Sequence, residues 1–166
     1  GGGFTCCVGT GMESHALHAY GLYYESDDTL WVNLYAPSTA AWSAAGVALA
    51  LETDFPEGES AALTVNLAAP RRFTLALRRP YWAGAGFRVE VNGEPVADLP
   101  APGSYVKLAR TWRNGDRVAL ALPKALRLEP LPDNPRRAAV LWGPLVLAGD
   151  LGAEETVRSR GRRRWW

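Results

Sequence analysis

Leu63-Thr64-Val65-Asn66-Leu67 and, further on, Phe73-Thr74-Leu75-Ala76-Leu77 decide the fold class of this chain. In both stretches the large apolar residues fall on alternate positions, which places them on one face of an extended strand. The same period of two runs outward in both directions, through Leu30, Val32 and Leu34, then Val47, Leu49 and Leu51, then Phe87, Val89 and Val91, then Val118, Leu120 and Leu122. Turn signals at Pro56-Glu57-Gly58-Glu59, Asn92-Gly93 and Asn114-Gly115-Asp116 punctuate the runs. Asn92-Gly93 in particular suits a two-residue hairpin, whose central residues need positive φ. Short alternating strands without helical patterns between them predict a mainly β fold, an antiparallel β-sandwich of about eight or nine strands. Ala138 to Gly149 is almost continuously apolar and predicts a central strand, bulged or ended at Gly143-Pro144.

One segment reads as helix. In residues 12–24, Ala16, Leu17, Tyr20 and Tyr24 recur at spacings of three and four, which makes one apolar stripe. Thr10 is the expected N-cap, with Glu13 completing a capping box. The polar stretch Glu25-Ser26-Asp27-Asp28 then marks a boundary between residues 1–27 and a sandwich over residues 28–150.

At 166 residues, 48% hydrophobic and 21% charged, the chain holds one globular domain, or one plus a fragment of another. No apolar run reaches the roughly 18 residues of a membrane span, so no membrane is expected as a partner. The start Gly1-Gly2-Gly3-Phe4 reads as a segment of a longer protein, which leaves localisation unreadable. The net charge of +1 conceals an asymmetry, because residues 158–166 hold five of the eighteen Lys and Arg and no Asp or Glu. Residues 1–157 carry 13 basic against 17 acidic groups, a balance of −4, which argues against a nucleic-acid partner. Residues 151–166 are expected to be a disordered or aberrant basic tail. The oligomeric state is not legible.

Cys6 and Cys7 are the only cysteines, and they are adjacent. A disulfide between neighbours is strained and staples no loop, whereas two thiolates turned toward one point make good zinc ligands. The surrounding glycines allow such aiming. Two buried small apolar residues are the plain alternative, but adjacency among glycines favours a metal or nucleophile role. Two ligands cannot close a four-coordinate site. His15 and His18 would in principle complete a Cys₂His₂ set, yet the spacing is wrong for a zinc finger, and polar helix positions are the expected reading. Among the tryptophans, Trp31 and Trp112 sit in strand patterns and are expected in the core. Trp42 and Trp82 lie in loop-like segments and are the candidates for stacking on a sugar ring. Asp133, between prolines, is expected to cap an Asx-type turn. There is no phosphate loop, no Ser-His-Asp pattern, no dinucleotide fingerprint and no carboxylate pair spaced for acid–base work.

Several segments together resemble glycoside hydrolase family 127 and its sister family 146. They are Cys6-Cys7-Val8-Gly9-Thr10-Gly11-Met12-Glu13-Ser14-His15, Leu30-Trp31-Val32-Asn33-Leu34-Tyr35-Ala36-Pro37-Ser38, Leu77-Arg78-Arg79-Pro80-Tyr81-Trp82, Val91-Asn92-Gly93, Trp112-Arg113-Asn114-Gly115-Asp116, Leu131-Pro132-Asp133-Asn134-Pro135 and Leu141-Trp142-Gly143-Pro144-Leu145-Val146-Leu147-Ala148-Gly149. They follow the order the family shows and cover about residues 3–150. The resemblance implies a retaining β-L-arabinofuranosidase-like enzyme, with an (α/α)6 barrel followed by β-sandwich domains, acting on plant-type glycans that contain L-arabinofuranose. It implies Cys6 as nucleophile, Cys6 and Cys7 as zinc ligands, and further ligands and an acid/base glutamate upstream. Residues 1–27 would then be the end of the barrel, with its last helix, and the isolated chain would be inactive and bind zinc weakly. That reading expects an open apolar face on residues 12–24. A stand-alone carbohydrate-binding or interaction module, using Trp42 and Trp82 on one strip, is the alternative.

Overall fold

The structure, a computed structural model, describes the backbone of residues 5–150 and of Gly152, with side chains from Gly9 onward. The thiols of Cys6 and Cys7 and the basic run 158–166 lie outside the described residues. Helix α1 (Thr5–Ala16) is followed by β1 (Tyr23–Glu25), β2 (Thr29–Val32), β3 (Ser38–Trp42), β4 (Val47–Thr53), β5 (Ser60–Leu67), β6 (Arg71–Arg79), β7 (Arg88–Val91), β8 (Glu94–Pro95), β9 (Ser104–Trp112), β10 (Arg117–Ala121), β11 (Leu126–Leu131), β12 (Asn134–Trp142) and β13 (Leu145–Leu147).

Alternation builds two stacked sheets. One has the order β1-β2-β6-β9 and the other β3-β4-β5-β10-β7-β8, ten strands in all. Leu63, Val65, Leu75, Leu77 and Val118 are fully buried, and they share a single core with Val32, Leu49, Val89, Val106 and Leu122. The period of two is therefore the record of which residues face the gap between sheets. Trp112 is also fully buried, and its indole N–H donates to the Phe73 carbonyl at 3.2 Å. Both Trp112 and Phe73 come from the first sheet; Trp42, from the second, meets Phe73 edge-on at 5.7 Å.

The sandwich is antiparallel except where β2 lies parallel to β6, with Leu30 opposite Leu75 and Val32 opposite Leu77. The cause is the chain path: after β2 it crosses to the second sheet, lays down β3, β4 and β5, and returns as β6. A parallel neighbour requires such a crossover. The polar stretch Glu25–Asp28 is the turn of the β1–β2 hairpin, closed by Ser26 N–H on the Thr29 carbonyl at 2.9 Å.

Three local expectations change. The helix expected over residues 12–24 spans Thr5–Ala16 instead, with Thr10 in its interior rather than at its cap. Leu34 falls beyond the end of β2 and is exposed, so it leaves the alternating core set. The apolar run from Ala138 does break at Gly143-Pro144, but it does not cross the sandwich. It supplies β12 and β13 of a separate sheet ordered β11-β12-β13, where Leu128, Val140, Val146 and Leu147 are exposed. Alternation cannot distinguish a strand inside the main stack from one in a small sheet beside it.

The Asn92-Gly93 turn has φ of 53° and 86° and closes β7 on β8 as expected. It also joins a second turn. Asn92 Nδ2 donates to Asp116 Oδ1 at 2.9 Å, the Arg117 N–H donates to Asn92 Oδ1 at 2.8 Å, and the Arg113 N–H donates to Asp116 Oδ2 at 2.8 Å. Burial opposes ionisation of Asp116. The Arg113 N–H, the Asn92 amide and the charges of Arg110 and Arg113 outweigh it and hold the carboxyl below its ordinary value. A depressed carboxyl stabilises the fold above its unfolded pKa, and that stability is lost as pH falls through the folded value. Thermal melts should therefore be flat above about pH 5 and decline below about pH 4. Asp116→Asn should cost about 1–2 kcal/mol at neutral pH and flatten that acid decline; an unaltered acid limb would remove Asp116 from the role.

Helix α1 is built differently from the sheets. Gly9 and Gly11 each cost about 1 kcal/mol of helix propensity, and twelve residues is marginal for a helix without packing. All of its residues from Gly9 to Ala16 are exposed. Amides of α1 in this chain should exchange with solvent orders of magnitude faster than those of Leu63, Leu75 and Val118. Equal protection, measured by hydrogen exchange, would contradict this account.

Candidate functional site

Cys6 and Cys7 lie in the first turn of α1, not ahead of it as expected. That turn carries the positive end of the helix dipole and N–H groups without intrahelical partners, an environment that favours a thiolate. His15 stands eight residues after Cys7 on the same helix, roughly 12 Å along its axis at the rise of an α-helix. Within α1, then, His15 and Cys7 cannot ligate one ion. His15 and His18 instead face each other with ring centres 5.2 Å apart, both exposed. Among the described residues, no three His, Cys, Asp or Glu side chains are gathered for a metal ion. Met12, Leu17, Tyr20 and Tyr24 are exposed, so the apolar face of residues 12–24 is open.

The two tryptophans expected at the surface separate. Trp42 is only 3% exposed, because it ends β3 and turns into the core against Phe73. It cannot stack on a sugar, and a binding strip made of Trp42 and Trp82 does not exist. Trp82 is half-buried, with its indole parallel to Phe55 (4°, centres 5.6 Å apart). Trp31 is half-buried and only Trp112 of the expected core pair is fully inside. In the β11–β12 turn, the side chain that caps the backbone is Asn134, accepting the Arg136 N–H at 3.1 Å; the Asx role expected of Asp133 falls to its neighbour.

Trp82 lines a cleft of about 120 Å³ at the end of β6, together with Asn33, Leu34, Tyr35, Phe55, Arg78, Pro80, Tyr81 and Pro144. Its polar floor is fixed. Asn33 accepts the Tyr105 hydroxyl at 2.7 Å and donates to the Gly21 carbonyl at 2.9 Å. The Tyr35 hydroxyl donates to the Arg78 carbonyl at 2.7 Å. Burial, reinforced by Tyr105 and opposed by Arg78, pushes the Tyr35 phenol far above its ordinary pKa, so it remains a neutral donor. Tyr81 is held from outside: Arg127 Nη2 donates to its hydroxyl at 2.8 Å while the Arg127 guanidinium also binds the Gly143 carbonyl. Asn33 and Leu34 hang from the segment that links α1 to the sandwich, since the backbone N–H groups of both point to the Leu22 carbonyl. Sequence reasoning singled out Trp82 alone here. The consecutive Arg78-Arg79-Pro80-Tyr81-Trp82 was the available signal, two cations followed by aromatics at a strand end.

Comparison with known proteins bears on most of the chain. The family described as "Beta-L-arabinofuranosidase, GH127 middle domain" matches residues 29–124. A GH127 β-L-arabinofuranosidase from Geobacillus stearothermophilus T6 is similar over 86% of this chain and 24% of its own, at 29% identity and a TM-score of 0.75. A structure described as a glycoside hydrolase matches 86% of this chain and 25% of its own, at 29% identity and a TM-score of 0.76. The GH127 β-arabinofuranosidase BT3674 matches 75% of this chain and 23% of its own, at 25% identity and a TM-score of 0.63. A comparison with curated proteins gives no match. The chain thus spans about a quarter of the length of these structural relatives. With strand order, turns and the β2–β6 crossover in place and the match running from β2 past β10, the chain belongs to the GH127 β-L-arabinofuranosidase middle-domain family.

Proposed function

We propose that this chain is part of a retaining glycoside hydrolase that releases L-arabinofuranose from glycans, with Cys6 as nucleophile and the sandwich supporting a barrel domain that brings the other catalytic groups. One observation carries the proposal: the adjacent cysteines stand in the first turn of α1, in a chain whose sandwich is of the GH127 family. The open apolar face of residues 12–24 supports it as well, since a self-contained module would have covered these side chains. The buried Trp42 weighs against the stand-alone carbohydrate-binding alternative.

Zinc is the metal implied by the family resemblance, and the donor set fits it in part. Two thiols are suitable soft donors, and Cys6 and Cys7 would hold the ion from the head of α1. His15 is too far along the helix to join them, and the family resemblance implies that the remaining ligands come from upstream. When bound, the metal supplies positive charge that keeps both thiols deprotonated near neutral pH. Cys6 Sγ attacks the anomeric carbon, and the bond from that carbon to the leaving oxygen breaks as an acid outside this chain protonates the oxygen. Water, giving its proton to the conjugate base of that same acid, then displaces Cys6 from the sugar as the thiolate. Two inversions give net retention.

The test uses the longer polypeptide that carries this segment. Elemental analysis should find one zinc per chain, and NMR should show the released arabinose with retained anomeric configuration. Cys6→Ala should lower turnover of an aryl β-L-arabinofuranoside by roughly 10³-fold or more. Undiminished turnover in that variant would overturn the assignment, and clear turnover by the 166-residue chain alone would overturn the division of labour.

A further inference from the structure

Arg78 is a half-buried cation for which the described residues provide no hydrogen-bond or ion-pair partner to its guanidinium. Its neighbour Arg79 differs, with both terminal nitrogens engaged on the Pro100 and Gly84 carbonyls and the Phe87 ring 5.1 Å from its guanidinium carbon, which leaves only its buried Nε without a partner among the described residues. Arg78 therefore lines the cleft while its guanidinium has up to five donors with no partner among the described residues. Around it the walls are aromatic or prolyl: Tyr35, Phe55, Pro80, Tyr81, Trp82 and Pro144. Tyr81 is 59% exposed but not free to wander, because Arg127 holds its hydroxyl. Asn33 and Tyr35 are likewise pinned by their own hydrogen bonds.

A small cleft with aromatic walls and one unpartnered guanidinium matches a sugar ring, which offers C–H groups on its faces and hydroxyls at its rim. A simple anion would satisfy Arg78 but leave the aromatic walls unused. At about 120 Å³ the cleft is well below the roughly 300 Å³ at which drug-sized pockets begin, so it suits one ring rather than an oligosaccharide. It is tethered through Asn33 and Leu34 to Gly21 and Leu22, a few residues after the helix that starts at the cysteines.

We propose that the Arg78–Tyr81–Trp82 cleft is a sugar subsite that binds one neutral, non-reacting ring of the glycan, with Arg78 donating to its hydroxyls and the aromatic walls packing on its face. This rests on the glycosidase reading. It is tested apart from activity, on the 166-residue chain as it stands. The chain, labelled at its tryptophan indole nitrogens, is titrated with a neutral arabino-oligosaccharide of three units and, separately, with sodium acetate and a short Glu-containing peptide. Saturable movement of the Trp82 indole signal by the sugar is expected. Arg78→Met and Tyr81→Ala, both outside the sandwich core, should each weaken it by roughly tenfold while leaving the other indole signals in place. No saturable movement with the sugar overturns the proposal. So does movement that survives both substitutions. Response to acetate or the peptide but not to the sugar also overturns it, and would identify the cleft as a socket for a carboxylate of another protein segment. Sugar binding without Cys6-dependent turnover in the longer polypeptide would sink the nucleophile while sparing the subsite, and turnover without sugar binding would do the reverse.

Discussion

The contact that joins the two sheets is concentrated at Phe73. It lies between two indoles, edge-on to Trp42 and tilted against Trp112, each about 5.7 Å away between ring centres. Trp42 comes from the six-stranded sheet, Phe73 and Trp112 from the four-stranded one. Each indole brings a large apolar area and a geometry that tolerates little sliding. The Trp112 N–H has its partner in the Phe73 carbonyl, so burial of the ring strands no donor. Once the sheets are registered here, the alternate residues of β4, β5, β6 and β10 have one shared space to fill. The turns at their ends then fall where Asn92 and Asp116 lock two of them together.

The same economy of fixed points reaches the outer sheet. Leu122 closes the sandwich core, and four residues on, β11 starts a sheet that keeps much of its apolar surface in the open. It is tied back by Arg127, which spans the Gly143 turn and the Tyr81 hydroxyl. Gly143 has φ of 56° there, and an added Cβ would run into the Lys124 side chain, so turn and clamp both favour glycine. One arginine thereby couples the position of β11 to the wall of the cleft at Tyr81.

What could be read from the sequence followed directly from burial on one face. Wherever a strand had large apolar residues at every second place, as at Leu63, Val65 and Leu67 or Phe73, Leu75 and Leu77, its existence and its inward face were legible. β3 was not, because Ser38-Thr39-Ala40-Ala41-Trp42 carries its inward signal in small residues until the last position; hence Trp42 read as a loop residue. β9 was masked because Arg110 interrupts the inward series Val106, Leu108 and Trp112, its guanidinium lying over the Trp112 ring at 5.2 Å, while Lys107 stands on the other face. The helix was misplaced because glycines at 9 and 11 argue against helix, while the apolar stripe from Ala16 to Tyr24 argues for it further on. Of the candidate site, the cysteine pair was visible from adjacency alone. The cleft was not, since its lining converges from Asn33, Phe55, Arg78, Trp82 and Pro144, which no local pattern connects.

Stability and proposed chemistry therefore reside in unlike parts of the chain. The sandwich satisfies its own apolar faces and its turns by contacts within the described residues, whereas α1 has two glycines and no buried described side chain. A helix start lowers a thiol pKa only while its N–H groups stay aligned, so a frayed first turn forfeits the field and the aim of both thiols together. On the proposed reading, the nucleophile is thus held by packing that other protein segments provide against Met12, Leu17 and Tyr20. The sandwich contributes by fixing the segment that follows that helix: Asn33 and Leu34 anchor Gly21 and Leu22, and Asn33 is itself set by Tyr105 of β9. The path from core to cysteines then consists of a few named hydrogen bonds and one exposed helix, and the reactive end of that path is its least self-sufficient element.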